Sequence, residues 1–468
     1  MKLLRFLFLF FTIITVATSC IEDGVSSSTA DQPTFSVDTL DMGMVFTDQG
    51  STTHRFVVYN HANKVINIGS IALRNPEQGI FRINVDGMSG KEFHNVEIRP
   101  NDSIYVFVEC TAPATGKLGL VNVLNHLDFT TLGVTRSVVL SADGIDVERM
   151  DGVVLDRDTH FTADRPYQIR DSLVVLPGVT MTVDPGATLY FHDKAELLVY
   201  GSLQANGTSD LPISMIGDRT GNVAASIPFE LMSGQWGGVY FAPSSHDNLL
   251  RHTSLRNSSY GVAVDSITST LDRPALRIIN SQIRNSSGYT FQAAHSAIEI
   301  IGTEITDASQ GILYMRGGQL RLNHCTLANY YLFTALGGPA LQLAHVNADD
   351  DDQSGLPYIQ ADITNTIIYG NGKDLSHGDL TGTAVTLRNC IFKSSGSDDD
   401  NFINCLWDTD PLYYTVREDY LFDYRVKPES QAIGAGDASL TLPEAAIDRL
   451  GRQRTNPPTI GCYEYQPE

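Results

Sequence analysis

Four charged residues occupy one position of a repeated pattern: Arg277, Glu299, Arg321 and Asp362. Cations set beside carboxylates serve two different chemistries. An excess of positive charge binds an anionic sugar, and an arginine in such a place can act as the base of a lyase, withdrawing the proton next to a uronate carboxylate. Alternating signs instead cancel one another in a ladder of ion pairs, each of small worth when exposed. The signs alternate here, which favours the ladder over a ligand-binding stripe on this outward column. From residue 147 to 468 the chain holds four lysines, Lys194, Lys373, Lys393 and Lys427, so a lyase would draw its base from Arg277, Arg321 or Arg388. A glycoside hydrolase needs two carboxylates about 5 to 10 Å apart, and the columns yield no convincing pair. No G-x-S-x-G, H-E-x-x-H, Walker A or dinucleotide-binding glycine motif occurs, which removes the common serine-hydrolase, zinc-protease and nucleotide signatures.

Two acidic runs, Asp349 to Asp352 and Asp398 to Asp400, place hard oxygen donors at the close spacing that suits Ca²⁺. Asp349, Asp350, Asp398 and Asp399 are the candidate ligands. Neither run has the spacing of an EF-hand loop, so solvated loops without a cofactor are the expectation, with Ca²⁺ as the alternative. The histidines are scattered, and His324 reads as a hydrogen-bonded structural residue. Behind Cys20 stand Cys110, Cys325, Cys390, Cys405 and Cys462 with no CxxC or Cys/His metal spacing. They read as buried thiols, and Cys390 with Cys405 is the pair to examine for a bridge.

The chain has 468 residues, 32 Lys+Arg against 54 Asp+Glu and a formal net charge of -22. That balance repels phosphate backbones and excludes nucleic acid as the expected partner. The length allows two or three domains. Lys2 and Arg5, the apolar stretch Phe6 to Val16, and Ala17-Thr18-Ser19 follow the order of a secretory signal. Cys20 directly behind them resembles a bacterial lipobox, and Ile21-Glu22-Asp23 looks like the export signal of Bacteroidota surface lipoproteins. The resemblance implies a signal peptide over 1–19, acylation of Cys20, a linker over 20–32 and a lipid-anchored place at the outer membrane, exposed at the cell surface. Beyond residue 20 no apolar run reaches the 18 or so residues of a membrane-spanning helix.

Residues of chemistry need elements to hold them, and the sequence supplies two kinds. From 33 to 146, short alternating strands are predicted at Thr34 to Val37, Arg55 to Tyr59, Ile66 to Leu73, Phe81 to Val85, Val96 to Ile98, Ser103 to Cys110 and Arg136 to Ala142. About seven such strands predict a β-sandwich. Phe35, Leu40-Asp41-Met42-Gly43, Phe56-Val57-Val58-Tyr59-Asn60 and Phe107-Val108-Glu109-Cys110 are similar to bacterial immunoglobulin-like domains, which implies a spacer or partner-binding module.

From about 147 to 468 the chain repeats. Leu255, Ile283, Ile305, Leu327, Ile368 and Phe392 align as anchors. Leu250, Ile278, Ile300, Leu322, Ile363 and Leu387 stand five positions earlier, and the small residues Thr253, Ser281, Thr303, Cys325, Thr366 and Cys390 two earlier. Apolar and small columns at fixed offsets predict side chains stacked inside a parallel β-solenoid. Asn257, Asn285, Asp307 and Asn329, two positions after their anchors, predict a tight corner with a partial asparagine ladder. The charge column then falls on an exposed face.

Pro177-Gly178-Val179-Thr180, Val183 to Thr188, Leu198 to Gly207, Gly234 to Phe241, Asn365 to Asn371, Ala432 to Gly436, Asp448 to Arg452 and Ile460 to Glu464 resemble, in this order, right-handed parallel β-helix lipoproteins of Bacteroidota. That architecture implies no single chemistry, since it hosts lyases, hydrolases and adhesins. The expectation is an all-β protein, an immunoglobulin-like β-sandwich followed by a right-handed parallel β-helix. It would bind a glycan or a surface protein without catalysis; a polysaccharide lyase or glycoside hydrolase is the alternative.

Overall fold

The computed structural model describes residues 24–224, 227–344 and 359–467. The chain divides between Asp146 and Val147 into two compact units. Among the described residues no helix is long and apolar enough to cross a membrane. Cys20 lies outside the described residues, as do Asp349 and Asp350.

In the N-terminal unit, two five-stranded sheets share one apolar core. One sheet runs in the order Thr34–Phe35, His54–Tyr59, Ser103–Cys110, Phe81–Val85, Met88–Gly90, and the other Thr39–Phe46, Val134–Ile145, Leu120–Thr131, Ile66–Leu73, Glu92–Ile98. Period-2 alternation carries this packing: Phe56, Val58, Val106 and Val108 point inward while their neighbours face out. The strands Thr39–Phe46 and Leu120–Thr131 are additional to those predicted. The second of these hides because its inward line includes Asn125 and Thr131, whereas Leu120 and Leu124 are exposed. Asn125 is tolerated inside because its amide nitrogen donates to the Asn75 carbonyl at 3.0 Å.

The second unit is a parallel β-solenoid with three strands in most coils. One face is a ten-stranded parallel sheet that includes Asn248–Arg251, Leu276–Ile279, Ala297–Ile301, Gln319–Asn323 and Gln360–Thr364. The second face includes Thr253–Arg256, Gln282–Ser286, Glu304–Ala308, Thr326–Asn329 and Ile367–Gly370. The third includes Glu196–Val199, Gly238–Phe241, Val262–Val264, Tyr289–Ala294, Gly311–Arg316 and Leu341–Ala344.

Register follows the columns read from the sequence. Leu255 pairs with Ile283, Ile283 with Ile305, Ile305 with Leu327, Leu327 with Ile368 and Ile368 with Phe392. The Leu250 column stacks in the same way. These side chains join one continuous buried cluster running from coil to coil. The small column has a polar duty as well. The backbone N–H of Thr253 donates to Ser281 Oγ at 3.0 Å, that of Ser281 to Thr303 Oγ1 at 3.2 Å, and that of Cys325 to Thr366 Oγ1 at 3.2 Å. Each hydroxyl thus satisfies a corner amide that the strand ladder leaves open.

Two corners use left-handed backbone. Asn257, Asn285 and Asp307 adopt φ of 69°, 58° and 55°, as their column predicts. Their side chains do not form a ladder, however. Asn257 and Asn285 both donate to the Glu230 carbonyl on an inserted loop, and only Asn329 bonds to the preceding coil, through Ala308. A second corner, three positions before each anchor, is built by His252, Asn280, Gly302, His324, Asn365 and Asn389, all at positive φ. At Gly302 a Cβ would stand 2.1 Å from Asn280 Oδ1, so only glycine fits beside that amide.

Candidate functional site

The outward columns of the three faces meet different fates, because the C-terminal segment folds back along the solenoid. Its residues 435–447 run antiparallel to the coil order over the second corner. Ala435 accepts from the Asn389 amide, the Asp437 carbonyl from Asn365, the Leu440 carbonyl from Asn323, and the Glu444 and Ile447 carbonyls from Asn280. His324 Nε2 lies 2.9 Å from Thr441 Oγ1. His324 is therefore a buried anchor for the strap, and burial pushes its pKa well below the ordinary value.

The strap changes the status of the charge column. Arg277, Glu299, Arg321 and Asp362 do stack in register. Glu299 accepts from Arg277 Nε at 2.5 Å and from Arg321 Nη1 at 3.0 Å, with only 7% of its side chain exposed. Arg277 also reaches Glu444 on the strap at 2.7 Å, while Asp362 pairs with Arg388 at 2.7 Å. The sequence places this column on an exposed face; the structure corrects that for Glu299, whereas Arg277, Arg321 and Asp362 stay 34%, 32% and 41% exposed and a segment more than 160 residues away in the chain reaches Arg277. Both oxygens of the Glu299 carboxylate are engaged, and within this column each cation has a carboxylate partner.

The second face is sealed further. Ala328, Ile367 and Ile391 pack with Tyr413, Tyr424, Val426, Ile460, Cys462 and Tyr463 in a cluster of its own. Two carboxylates are buried beneath it, Glu304 and the corner residue Asp307: Tyr463 donates its hydroxyl to Glu304, and Tyr424 donates to Asp307. Burial raises the Asp307 carboxyl from the ordinary 3.8 to about 6, and its Oδ2 has no hydrogen-bond partner among the described residues. Arg454 and Glu464, 3% and 1% exposed, pair at 3.4 Å within the same segment. Arg454 is further satisfied by the carbonyls of Ala445, Thr459 and Gly461.

Other candidates from the sequence are dispersed. Lys393 donates to the Asn371 carbonyl at 3.1 Å and Lys373 to Ser376 at 3.5 Å. Asp398 accepts from the Cys405 amide and the Trp407 indole, and Asp399 accepts from the amides of Asn401 and Phe402. These carboxylates shape their own loop. Among the described residues no group of three or more His, Cys, Asp or Glu side chains converges as a metal site. Cys390 and Cys405 are in-register neighbours on adjacent coils, both recorded as thiols.

The third face presents another outward column: Leu198, Tyr240, Ala263, Gln292, Tyr314, Gln342 and Ser376. Between Tyr240 and Tyr314 lies an open concavity of about 220 Å³, lined also by Ala263, Asp265, Gln292 and Arg316. Tyr240 donates to Asp265 Oδ2 at 2.8 Å, and burial together with that bond holds its phenol up at about 12. Tyr314 lies against Tyr289 at 5.3 Å between ring centroids, and Tyr289 donates to Gln342 Oε1 at 2.8 Å. Aromatic rings beside amides and a carboxylate recognise ligands that are apolar on one side and hydroxylated at the edge. Sequence reasoning missed this column. Its signal was present as Tyr240, Gln292, Tyr314 and Gln342 at matched coil positions, but the third-face strands have no constant spacing from the anchors. The N-terminal unit holds a larger cavity, about 760 Å³, whose floor includes Phe81, Ile83 and Phe107. Arg82 at its edge is neutralised by Glu109 at 3.0 Å.

No family model and no curated protein matches the chain. Among solved structures it is similar to a family 123 glycoside hydrolase from Clostridium perfringens, described for glycolipid glycan hydrolysis, at 12% identity and a TM-score of 0.17, over 24% of this chain and 25% of that one. It is also similar to a protein of unknown function from Porphyromonas gingivalis W83, at 12% identity and a TM-score of 0.17, over 27% of this chain and 60% of that one. The chain thus spans a quarter and three fifths of the length of these two proteins.

Proposed function

We propose that this chain is a lipid-anchored surface protein that binds glycan through the third face of its solenoid. The observation that carries the reading is the difference between faces. On the first face Glu299 is buried between two arginines, one of them tied to the strap; the C-terminal cluster covers the second face over Glu304–Ala308, Thr326–Asn329 and Ile367–Gly370; and among the described residues the third keeps tyrosines and amides around an open concavity. The basic, apolar and small-residue order ahead of Cys20 supports the anchor. The two-sheet N-terminal unit serves as an immunoglobulin-like spacer, and the solenoid is a right-handed β-helix, the hand that parallel crossovers adopt in nearly all sheets. In this reading the protein is a display and binding module at the outer membrane. Incubating the purified protein with neutral and acidic glycans, scoring both retention and cleavage products, tests it. Retention of intact glycan is expected. Accumulation of unsaturated or newly reducing ends would instead make the protein a carbohydrate-active enzyme. Release of Cys20→Ala from membranes, with acylated Cys20 in wild-type intact mass, tests the anchor.

A further inference from the structure

We infer that the concavity between Tyr240 and Tyr314 is a subsite for one pyranose ring of a neutral glycan whose chain runs along the solenoid axis, an inference that rests on the third face being a glycan-binding surface. The two tyrosines share one column three coils apart, with Ala263 and Gln292 between them. At about 4.8 Å per coil, their backbones stand roughly 14 Å apart. Ala263 adds almost nothing to the floor, which leaves the 220 Å³ space open between two aromatic walls.

A pyranose has a face of C–H groups and a rim of hydroxyls. Tyrosine covers the first with a rigid ring of only two torsions, and planar polar groups bind the second. Both walls are already set. The Asp265 carboxylate is held by the Tyr240 hydroxyl at 2.8 Å on one oxygen and by the Ser266 amide at 2.7 Å on the other. Each oxygen keeps a lone pair that a sugar hydroxyl can use. Tyr314 is backed by Tyr289, itself tied to Gln342, so its ring cannot fall into the space without breaking that packing. Groups ordered before binding lose less entropy when the ligand arrives.

Charge selects the class of glycan. A polyanion requires an excess of cations where its carboxylates or sulfates sit. Here Asp265 sets a negative charge opposite the single positive charge of Arg316, on a chain of net charge -22. A neutral sugar meets no such opposition and uses the carboxylate as an acceptor. The direction follows from the column. Gln342 and Ser376 continue it beyond Tyr314 on successive coils, so a chain along the axis gains contacts that one sugar cannot reach. Hexasaccharides are therefore expected to bind more tightly than their monosaccharides.

Calorimetric titration of the purified full-length protein with neutral mannan-derived and β-glucan-derived hexasaccharides, and with a chondroitin sulfate hexasaccharide, tests the assignment. A neutral hexasaccharide should bind, and Tyr240→Ala and Tyr314→Ala should each weaken it by about tenfold. Tyr240→Phe keeps the ring and loses only the bond to Asp265, so it should fold normally and weaken binding by a smaller factor. Preference for the sulfated probe with the same sensitivity to the tyrosines would overturn the neutral class and leave the surface reading intact. Neutral binding that survives every substitution would overturn the subsite alone. Retention of no glycan at all would overturn the surface reading and the subsite with it.

Discussion

Replacing Glu299 by Gln isolates the one buried anion of the charge column. Glutamine has the same shape, so no cavity forms and only the charge and one acceptor are lost. Wild-type Glu299 takes two charge-assisted hydrogen bonds, at 2.5 and 3.0 Å, with its own side chain 7% exposed and those of Arg277 and Arg321 34% and 32% exposed. A hydrogen bond to a charged group is worth about 1.5 to 3 kcal/mol when one partner is removed. Glutamine retains a carbonyl for one arginine and turns an N–H₂ toward the other, while solvent reaching the guanidinium groups screens part of the loss. The cost is then about 2 to 3 kcal/mol. Asp362→Asn breaks a pair that is 41% and 33% exposed, for which about 0.2 to 1 kcal/mol is expected. Repeat arrays need not unfold in one step, so amide hydrogen exchange over Ala297–Ile301 is the suitable assay. Protection there should fall roughly 30- to 150-fold in Glu299→Gln. Raising the salt concentration should narrow the Asp362→Asn effect far more than the Glu299→Gln effect. Equal, small effects of the two substitutions would refute the argument and return the column to the exposed ladder that its sequence suggested.

The remaining expectations concern other parts of the solenoid. Ile305 is fully buried in the anchor column, so Ile305→Ala should cost roughly 2 to 5 kcal/mol, read as a lowered urea midpoint. Asp307 has a folded-state pKa near 6 against an ordinary 3.8, so it holds its proton in the folded chain after the unfolded chain has lost it. Its contribution therefore weakens stability as pH rises from about 4 to 6 and is constant above that window; Asp307→Asn, which still accepts from Tyr424, should flatten that part of the stability profile. Cys405 is half-buried, and hydrogen bonding from Cys390 lowers its thiol pKa, whereas burial raises those of Cys110, Cys325, Cys390 and Cys462. Among these five, brief alkylation of the reduced native protein should label Cys405 first, as located by peptide mass mapping.

How much of this was legible in the residues depends on the range of the interaction. The anchor column, the apolar column five positions before it, the small column two positions before it, and the registration of Arg277 with Glu299 and Arg321 are all set by repetition. Each coil meets nearly the same surroundings as the last, so an apolar or a small residue at one offset must recur at that offset. The corner at Asn257, Asn285 and Asp307 was legible for the same reason, since only a few residue types accept a left-handed backbone. In the N-terminal unit, Leu120–Thr131 stayed hidden because Asn125 occupies an inward position that its partner Asn75, fifty residues away, makes tolerable.

What the tertiary structure alone decided is which surfaces remain surfaces. A strand's alternation separates inside from outside, but it carries no information about what later folds over the outside. Glu299 and Glu304 both point away from the solenoid interior, and both are buried where the C-terminal segment returns: Glu444 holds Arg277 beside Glu299, and Tyr463 covers Glu304. The contacts that hold that return, from Asn280 to Ile447 and from Asn323 to Leu440, span more than one hundred residues and rest on backbone carbonyls that have no side-chain signature. The third face lies outside that path, and its column was masked by coil insertions of unequal length. Periodicity thus fixes the stacking of each coil on the next, whereas the route of one aperiodic segment determines where water, and any ligand, can reach the stack.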